Sequence, residues 1–194
     1  QALGDPAETT PMSLRSALAA CLARDRVGFR DRFPDLVSEY ELDARMGAFE
    51  EGVESFEGPA GRPNVEALDP WTRELVWRLW LLDDAPVGLT LSGPAYQDNP
   101  IRYVNERFRE LTGYGLDDVL GANPRLLQGP DTEAAPVAGL REATDIWEPV
   151  TVELRNYRKD GTPFRNRVSL VPVEGPDGSV SNWVGIQARI DGED

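Results

Sequence analysis

Apolar residues recur at three- and four-residue spacing in the first half of the chain and at alternate positions in much of the second. From Ser13, the residues Leu14, Ala17, Leu18, Cys21 and Leu22 share one side of a helix, and Ser13 is placed to cap it. The pattern predicts a second helix starting near Pro34 or Asp35. Leu36, Val37, Tyr40, Met46 and Phe49 continue it, with a break, toward Phe56. Gly58-Pro59-Ala60-Gly61-Arg62-Pro63-Asn64 reads as a loop, and residues 1–12 as a disordered lead-in. Asp69-Pro70-Trp71 starts a third helix, with a capping acid before proline at the first helical position, and it runs to about Asp83. Trp71, Leu75, Val76, Trp77, Leu79, Trp80 and Leu82 give it an apolar surface too wide for one contact. It reads either as a helix between two surfaces or as part of a wholly intramolecular core.

Strand patterns begin after Pro86. Strands are predicted over 87–91 and 101–104, then a short helix capped by Asn105 and stopped at Gly113, a helical turn near 117–120 and a helix over 133–144. Three longer strands close the chain at 149–158, 162–173 and 180–190, with hairpin turns at Asp160-Gly161 and at 175–178. The fold class is α+β, divided into a helical N-terminal extension over 1–84, acting as a cap or dimerisation surface, and an α+β domain over 85–191. Side chains two apart on a strand share a face. Val152, Leu154 and Asn156 therefore share one, as do Phe164, Asn166, Val168 and Leu170, and Trp183, Gly185 and Gln187. Each series is mostly apolar yet carries an amide, which is costly in a core unless it is paired. A flat heterocycle with polar atoms along one edge satisfies that set.

Composition narrows the chemistry. The chain has one cysteine, Cys21, and no histidine, so an internal disulfide, a Cys/His zinc site and His-dependent nucleophile systems are excluded. No metal site and no enzyme activity are expected. Cys21 reads as a small core residue in its apolar stripe. The formal net charge of −14 opposes nucleic-acid backbones and anionic lipid. No apolar run approaches the ~20 residues that span a bilayer, so no membrane association and a cytoplasmic location are expected. Lys159 is the sole lysine among arginines, and this acid-rich, lysine-poor balance suits a halophilic surface.

The stretch Gly121-Ala122-Asn123-Pro124-Arg125-Leu126-Leu127-Gln128 resembles the flavin-binding signature G-x-N-C-R-F-L-Q of LOV domains, a subclass of the PAS fold. Asn99-Pro100-Ile101, Tyr103-Val104-Asn105, Leu111-Thr112-Gly113-Tyr114 and Asn156-Tyr157-Arg158-Lys159-Asp160-Gly161 extend the resemblance over about 85–190. It implies a five-stranded antiparallel sheet with helices around a cavity for FMN, and the halophilic balance suits a haloarchaeal source. By resemblance, Asn156 and Asn166 hold the pyrimidine edge of the flavin and Gln187 faces its O4 and N5. Phe164, Leu170 and Gly185 shape the space for the ring, and Asn123 and Gln128 bond the ribityl chain and ring edge. Arg125 and Arg141 grip the phosphate.

The chain departs from the family at one position. Pro124 stands where the family carries its photoreactive cysteine, so the usual cysteinyl adduct cannot form. The resemblance then implies a blue-light or redox sensor working by photoreduction to the neutral semiquinone. Gln187 reads N5 protonation through its amide, and the helix over 71–82 is the candidate receiver. Trp183 is the first electron-donor candidate; Tyr114, Trp147, Tyr157 and the Trp77/Trp80 pair are weaker ones. A homodimer through the N-terminal helices and a separate downstream signalling protein are the expected partners. A flavin electron-transfer or storage protein and a flavin-free PAS interaction module are the alternatives.

Overall fold

A computed structural model of the chain describes residues 12–59 and 67–190. Most of the loop expected at 58–64 lies outside the described residues, as does the lead-in before Met12. Helix α1 spans Leu14–Leu22, capped by Ser13, whose hydroxyl accepts from the Ser16 amide. Its buried face is Ala17, Leu18, Cys21 and Leu22, the stripe read from the sequence.

Helix α2 corrects the sequence reading. It spans Arg26–Glu39 and begins about two turns before Pro34, which lies inside it. Asp25 is the true cap, accepting from the Gly28 amide at 2.8 Å. Phe29, Phe33 and Leu36 form the buried stripe, diluted in sequence by four arginines and three aspartates over 24–35. Proline removes one intrahelical bond, but aromatic burial outweighs that loss: Phe29 and Phe33 pack with Phe49 and Trp77 at centroid separations of 4.9–6.3 Å. A left-handed Glu41 then breaks the chain before α3, Met46–Glu51.

Helix α4, Pro70–Leu81, starts as expected, with Asp69 accepting from the Trp71 and Thr72 amides. It is buried nearly all round, Glu74 and Arg78 included. These two form an ion pair along the helix. Arg78 also stacks on Phe29 and Trp71 and donates to the carbonyls of Leu22 at 3.2 Å and Arg24 at 2.6 Å. The pair thus closes the C-terminal end of α1.

The rest is a five-stranded antiparallel sheet in the order β2-β1-β5-β4-β3 with small helices. The strands are β1, Gly88–Ser92; β2, Ile101–Val104; β3, Val150–Tyr157; β4, Pro163–Glu174; and β5, Val180–Arg189. Between β2 and β3 run α5, Glu106–Thr112, α6, Leu116–Val119, a single 3-10 turn over Pro124–Leu127, and α7, Ala134–Ile146. One sheet face carries Leu89, Leu91, Ile101, Tyr103, Val184 and Ile186, and these share one apolar cluster with α1, α2 and α4. Helix α4 packs on β1 and β2, and α1 on β5. Asp83 ties the layers together by accepting from the Tyr103 hydroxyl at 2.6 Å, the Glu106 amide at 3.0 Å and Arg45 at 3.1 Å. Burial first, and the Asp83 carboxylate second, push the Tyr103 phenol far above its ordinary range.

Candidate functional site

The opposite sheet face lines a cavity of about 390 Å³ closed by the signature segment and α7. That volume lies within the ~300–1,000 Å³ of small-molecule sites. Strand parity places the floor as the sequence indicated: Leu154 and Asn156 from β3, Val168 and Leu170 from β4, and Trp183, Gly185 and Gln187 from β5. Thr90 and Ser92 of β1 complete it. The sequence reading missed those two, although polar residues at alternate positions of an otherwise apolar strand were the available signal.

One end of the cavity is built from amides. Asn166 is fully buried and stands behind the wall rather than on it. Its Nδ2 donates to Asn156 Oδ1 at 2.9 Å and to Gln187 Oε1 at 3.0 Å. Asn156 and Gln187 are each 3% exposed and do reach the cavity. The Asn166 carbonyl oxygen is buried with no protein partner. Buried acceptors are rarely left so, because the lost hydration is not replaced. A ligand edge bearing an N–H fits this cluster, and the pyrimidine edge of a flavin carries one.

Gly185 leaves room beside these amides. A Cβ there would meet Thr90 Oγ1 at 2.3 Å, so any side chain would enter the space between β1 and β5. Phe164, expected to shape the ring space, is buried but off the cavity wall. It sits opposite Asn156 in the β3–β4 ladder, at the end of the floor where β3 still lines the cavity and β4 no longer does.

The roof begins with Asn123, which caps the 3-10 turn by accepting from the Arg125 amide at 2.8 Å. Pro124 follows at the first position of that turn, where a missing N–H costs nothing. Its ring is on the cavity wall with Leu127 and Gln128. The next loop is pressed against β3: a Cβ on Gly129 would lie 2.3 Å from the Tyr157 ring, and the Asp131 amide donates to the Tyr157 hydroxyl at 3.0 Å. Helix α7 adds Val137, Leu140 and Arg141.

Charge at the mouth is more balanced than the sequence indicated. Arg125 pairs through both terminal nitrogens with Asp98, one at 2.7 Å, and Asn123 Nδ2 also donates to the Asp98 carbonyl at 2.7 Å. The Arg125 hydrogen bonds hold the Asp98 carboxyl below the usual carboxylate range. Asp98 adopts a left-handed backbone, φ 64°, that turns it toward the signature. Arg141 and Asp145 are the second pair of opposite charges lining the mouth. An anionic group entering here meets two guanidiniums, of which Arg125 is already paired with a carboxylate.

Of the named electron-donor candidates, Trp183 alone lines the cavity, at 1% exposure. Trp147 is 65% exposed at the left-handed C-cap of α7, and Tyr114 packs at the edge of the apolar cluster; neither reaches the wall. Cys21 is fully buried in α1 and its thiol is pushed up to about 11 by burial. Helix α1 touches the sheet through Ser169, whose neighbours Val168 and Leu170 face the cavity, so Cys21 lies beyond the opposite face.

A profile of the PAS domain family matches residues 86–188. The chain is 45% identical over 109 residues to the bacterioopsin transcriptional activator of Halobacterium salinarum, covering 56% of this chain and 16% of that protein. It is 42% identical over 101 residues to blue-light-activated histidine kinase 1 of Erythrobacter litoralis, covering 52% and 28%. The alignments thus span less than a third of the length of these two relatives. A solved structure described as a flavin-analogue study of light-oxygen-voltage domain mechanism superposes with a TM-score of 0.55 at 39% identity, covering 60% of this chain and 84% of that one. Among the described residues no helix is long and apolar enough to cross a membrane. With the sheet order, the amide-closed cavity and these matches in agreement, the chain belongs to the PAS domain family and, within it, to the LOV subclass.

Proposed function

We propose that the chain is a flavin-dependent blue-light sensor that binds FMN and responds without a cysteinyl adduct. The observation that carries this is the Asn156–Asn166–Gln187 amide cluster, with its unpartnered buried acceptor, closing a cavity whose roof presents Pro124 in place of a thiol. Similarity to proteins named as blue-light-activated kinases and to a light-oxygen-voltage domain supports the reading.

When bound, the flavin supplies a light-driven one-electron oxidant that takes up a proton on reduction. The chain's own residues do the rest. Asn156 orients the ring edge with Asn166 holding its amide from behind, Leu154, Val168 and Leu170 keep water from it, and Arg125 with Arg141 offers planar forks for a phosphate. Trp183 is the proposed internal donor. Gln187 Oε1 is engaged by Asn166, which leaves its NH₂ to donate to an unprotonated ring nitrogen. A ring nitrogen carrying a proton would need the amide oxygen instead, so the Gln187 amide would have to turn or shift. Output passes through the N-terminal helices to a second copy or a separate signalling protein. The acid excess, the single lysine and the Halobacterium relative support operation in concentrated salt; a melting temperature that fails to rise with molar KCl would oppose that part.

The test is extraction of the bound chromophore from the purified protein and its identification by chromatography. FMN near one equivalent is expected; a colourless protein that takes up neither FMN nor riboflavin overturns the reading.

A further inference from the structure

We propose that Arg15 is the residue through which the state of the cavity reaches the N-terminal helix, a reach across the sheet that goes beyond the light-sensing reading but rests on it. Arg15 lies in the first turn of α1 and is half-buried. Its Nη1 donates to the Ile186 carbonyl at 2.5 Å and to the Ser169 hydroxyl at 3.1 Å. Ile186 and Gln187 share one peptide unit: the oxygen that Arg15 holds and the nitrogen of Gln187 lie on the same rigid plane. The Gln187 side chain is on the cavity face, and the guanidinium grips that plane from the other. A turn of the amide that tilts the Gln187 backbone therefore moves the acceptor of Arg15 directly.

The sequence reading assigned reception to the helix over 71–82. That helix, α4, packs on β1 and β2, whereas the strand carrying Gln187 is covered by α1. The two ends of α1 are held differently. At the C-terminal end, Arg78 donates to the Leu22 and Arg24 carbonyls while buried and ion-paired with Glu74. At the N-terminal end the Tyr40 hydroxyl holds the Met12 carbonyl, and Arg15 hydrogen-bonds the sheet. The acceptors of Arg15 are neutral, and burial together with the charge of Arg167 makes its guanidinium easier to deprotonate than usual. That arrangement is a marginal latch at one end of a helix whose other end is a firm pivot.

The experiment is hydrogen exchange on the flavin-loaded chain, dark and under blue light, with absorption recorded in parallel. In the parent protein the amides of 16–22 are expected to exchange about fivefold faster in the light, the worth of one hydrogen bond. In Arg15→Ala they are fast already in the dark, and the light–dark ratio falls below about twofold while the flavin spectral change is retained. Arg15→Lys, keeping one donor, restores part of the ratio. Ser169→Ala, which leaves Arg15 and the Ile186 bond in place, lowers the ratio partially and serves if Arg15→Ala does not fold. An Arg15→Ala protein with parental exchange in the dark and a parental light response overturns the latch. So does a parent whose flavin responds to light with no change over 16–22. A parent whose flavin does not respond at all overturns the light-sensing reading instead, and the dark comparison still decides whether Arg15 holds α1.

Discussion

Asn166 donates to Gln187 Oε1 at 3.0 Å, and this bond fixes which end of the Gln187 amide is left for the cavity. The same Nδ2 serves Asn156, so the three amides form one oriented set rather than three independent contacts. Replacing Gln187 by Leu removes both the proposed reader and one acceptor of Asn166. We expect Gln187→Leu to keep flavin and its photoreduction but to lose the light-induced change in α1. Absorption and hydrogen exchange recorded on one sample check this, and an α1 response of parental size would refute the role of Gln187.

Gly185 tests the cavity itself. A Cβ at this position would lie 2.3 Å from Thr90 Oγ1. Gly185→Ala is expected to cost about 1–3 kcal/mol through overpacking and to lower flavin occupancy. Thr90→Ala combined with Gly185→Ala removes the clashing hydroxyl and should recover most of both losses. Urea unfolding with flavin titration gives the coupling between the two sites, and additive effects would contradict the close approach.

The buried pair on α4 carries the largest single contribution we expect among the N-terminal helices. Glu74 and Arg78 have side chains 2% and 0% exposed. Arg78→Ala leaves buried Glu74 with the half-exposed Arg26 still paired to it at 2.6 Å, and is expected to destabilise the chain toward the low end of the about 3–5 kcal/mol that breaking a buried pair costs. Simultaneous replacement of both by apolar residues of similar volume should cost much less. Denaturant midpoints of the single and double variants distinguish these outcomes.

Cys21 supplies a pH prediction. Its folded thiol is raised to about 11, above the ordinary value of about 8.5. A raised thiol favours the folded state below the unfolded value, and that contribution is lost as pH rises through the folded one. Stability should therefore decline between about pH 8.5 and 11 more steeply in the parent than in Cys21→Ala. At pH 8 the native thiol should resist iodoacetamide and react only on unfolding; rapid native alkylation would show that the thiol is not enclosed.

The strand half was legible because period-two alternation directly reports which side chains share a face. Leu154 and Asn156, Val168 and Leu170, and Gly185 and Gln187 appear on the cavity floor for that reason. Helix α2 was not legible: Phe29 and Phe33 are spaced as a helix requires, but arginines surround them and Pro34 imitates a helix start. The mouth was legible in its cations and not in its anions. Asp98 meets Arg125 across 27 positions through a left-handed turn that sequence periodicity does not reveal. Arg15 is similar, a lone cation on a helix flank whose acceptor lies 171 positions away. Local pattern fixes faces and caps; pairings of this length arise only when the layers stack.

Pro124 links the sequence to the proposed photochemistry. It occupies the cavity wall at the first position of a short turn, a place that tolerates other residues at little cost. Pro124→Cys should supply the thiol and convert the light response into a reversible bleaching of the visible flavin band. A variant that loads flavin and still gives only the one-electron product would refute the pocket geometry argued for position 124.

The central claim is that light reduces a flavin held beneath Pro124 without any bond to sulfur. Absorption spectra of the purified parent protein, in the dark and after blue light with and without an external reductant, test it directly. The expected result is a structured flavin spectrum in the dark, conversion to a red-absorbing one-electron form, and faster conversion with reductant present. A colourless protein, or bleaching to a thiol-adduct spectrum despite Pro124, would contradict it.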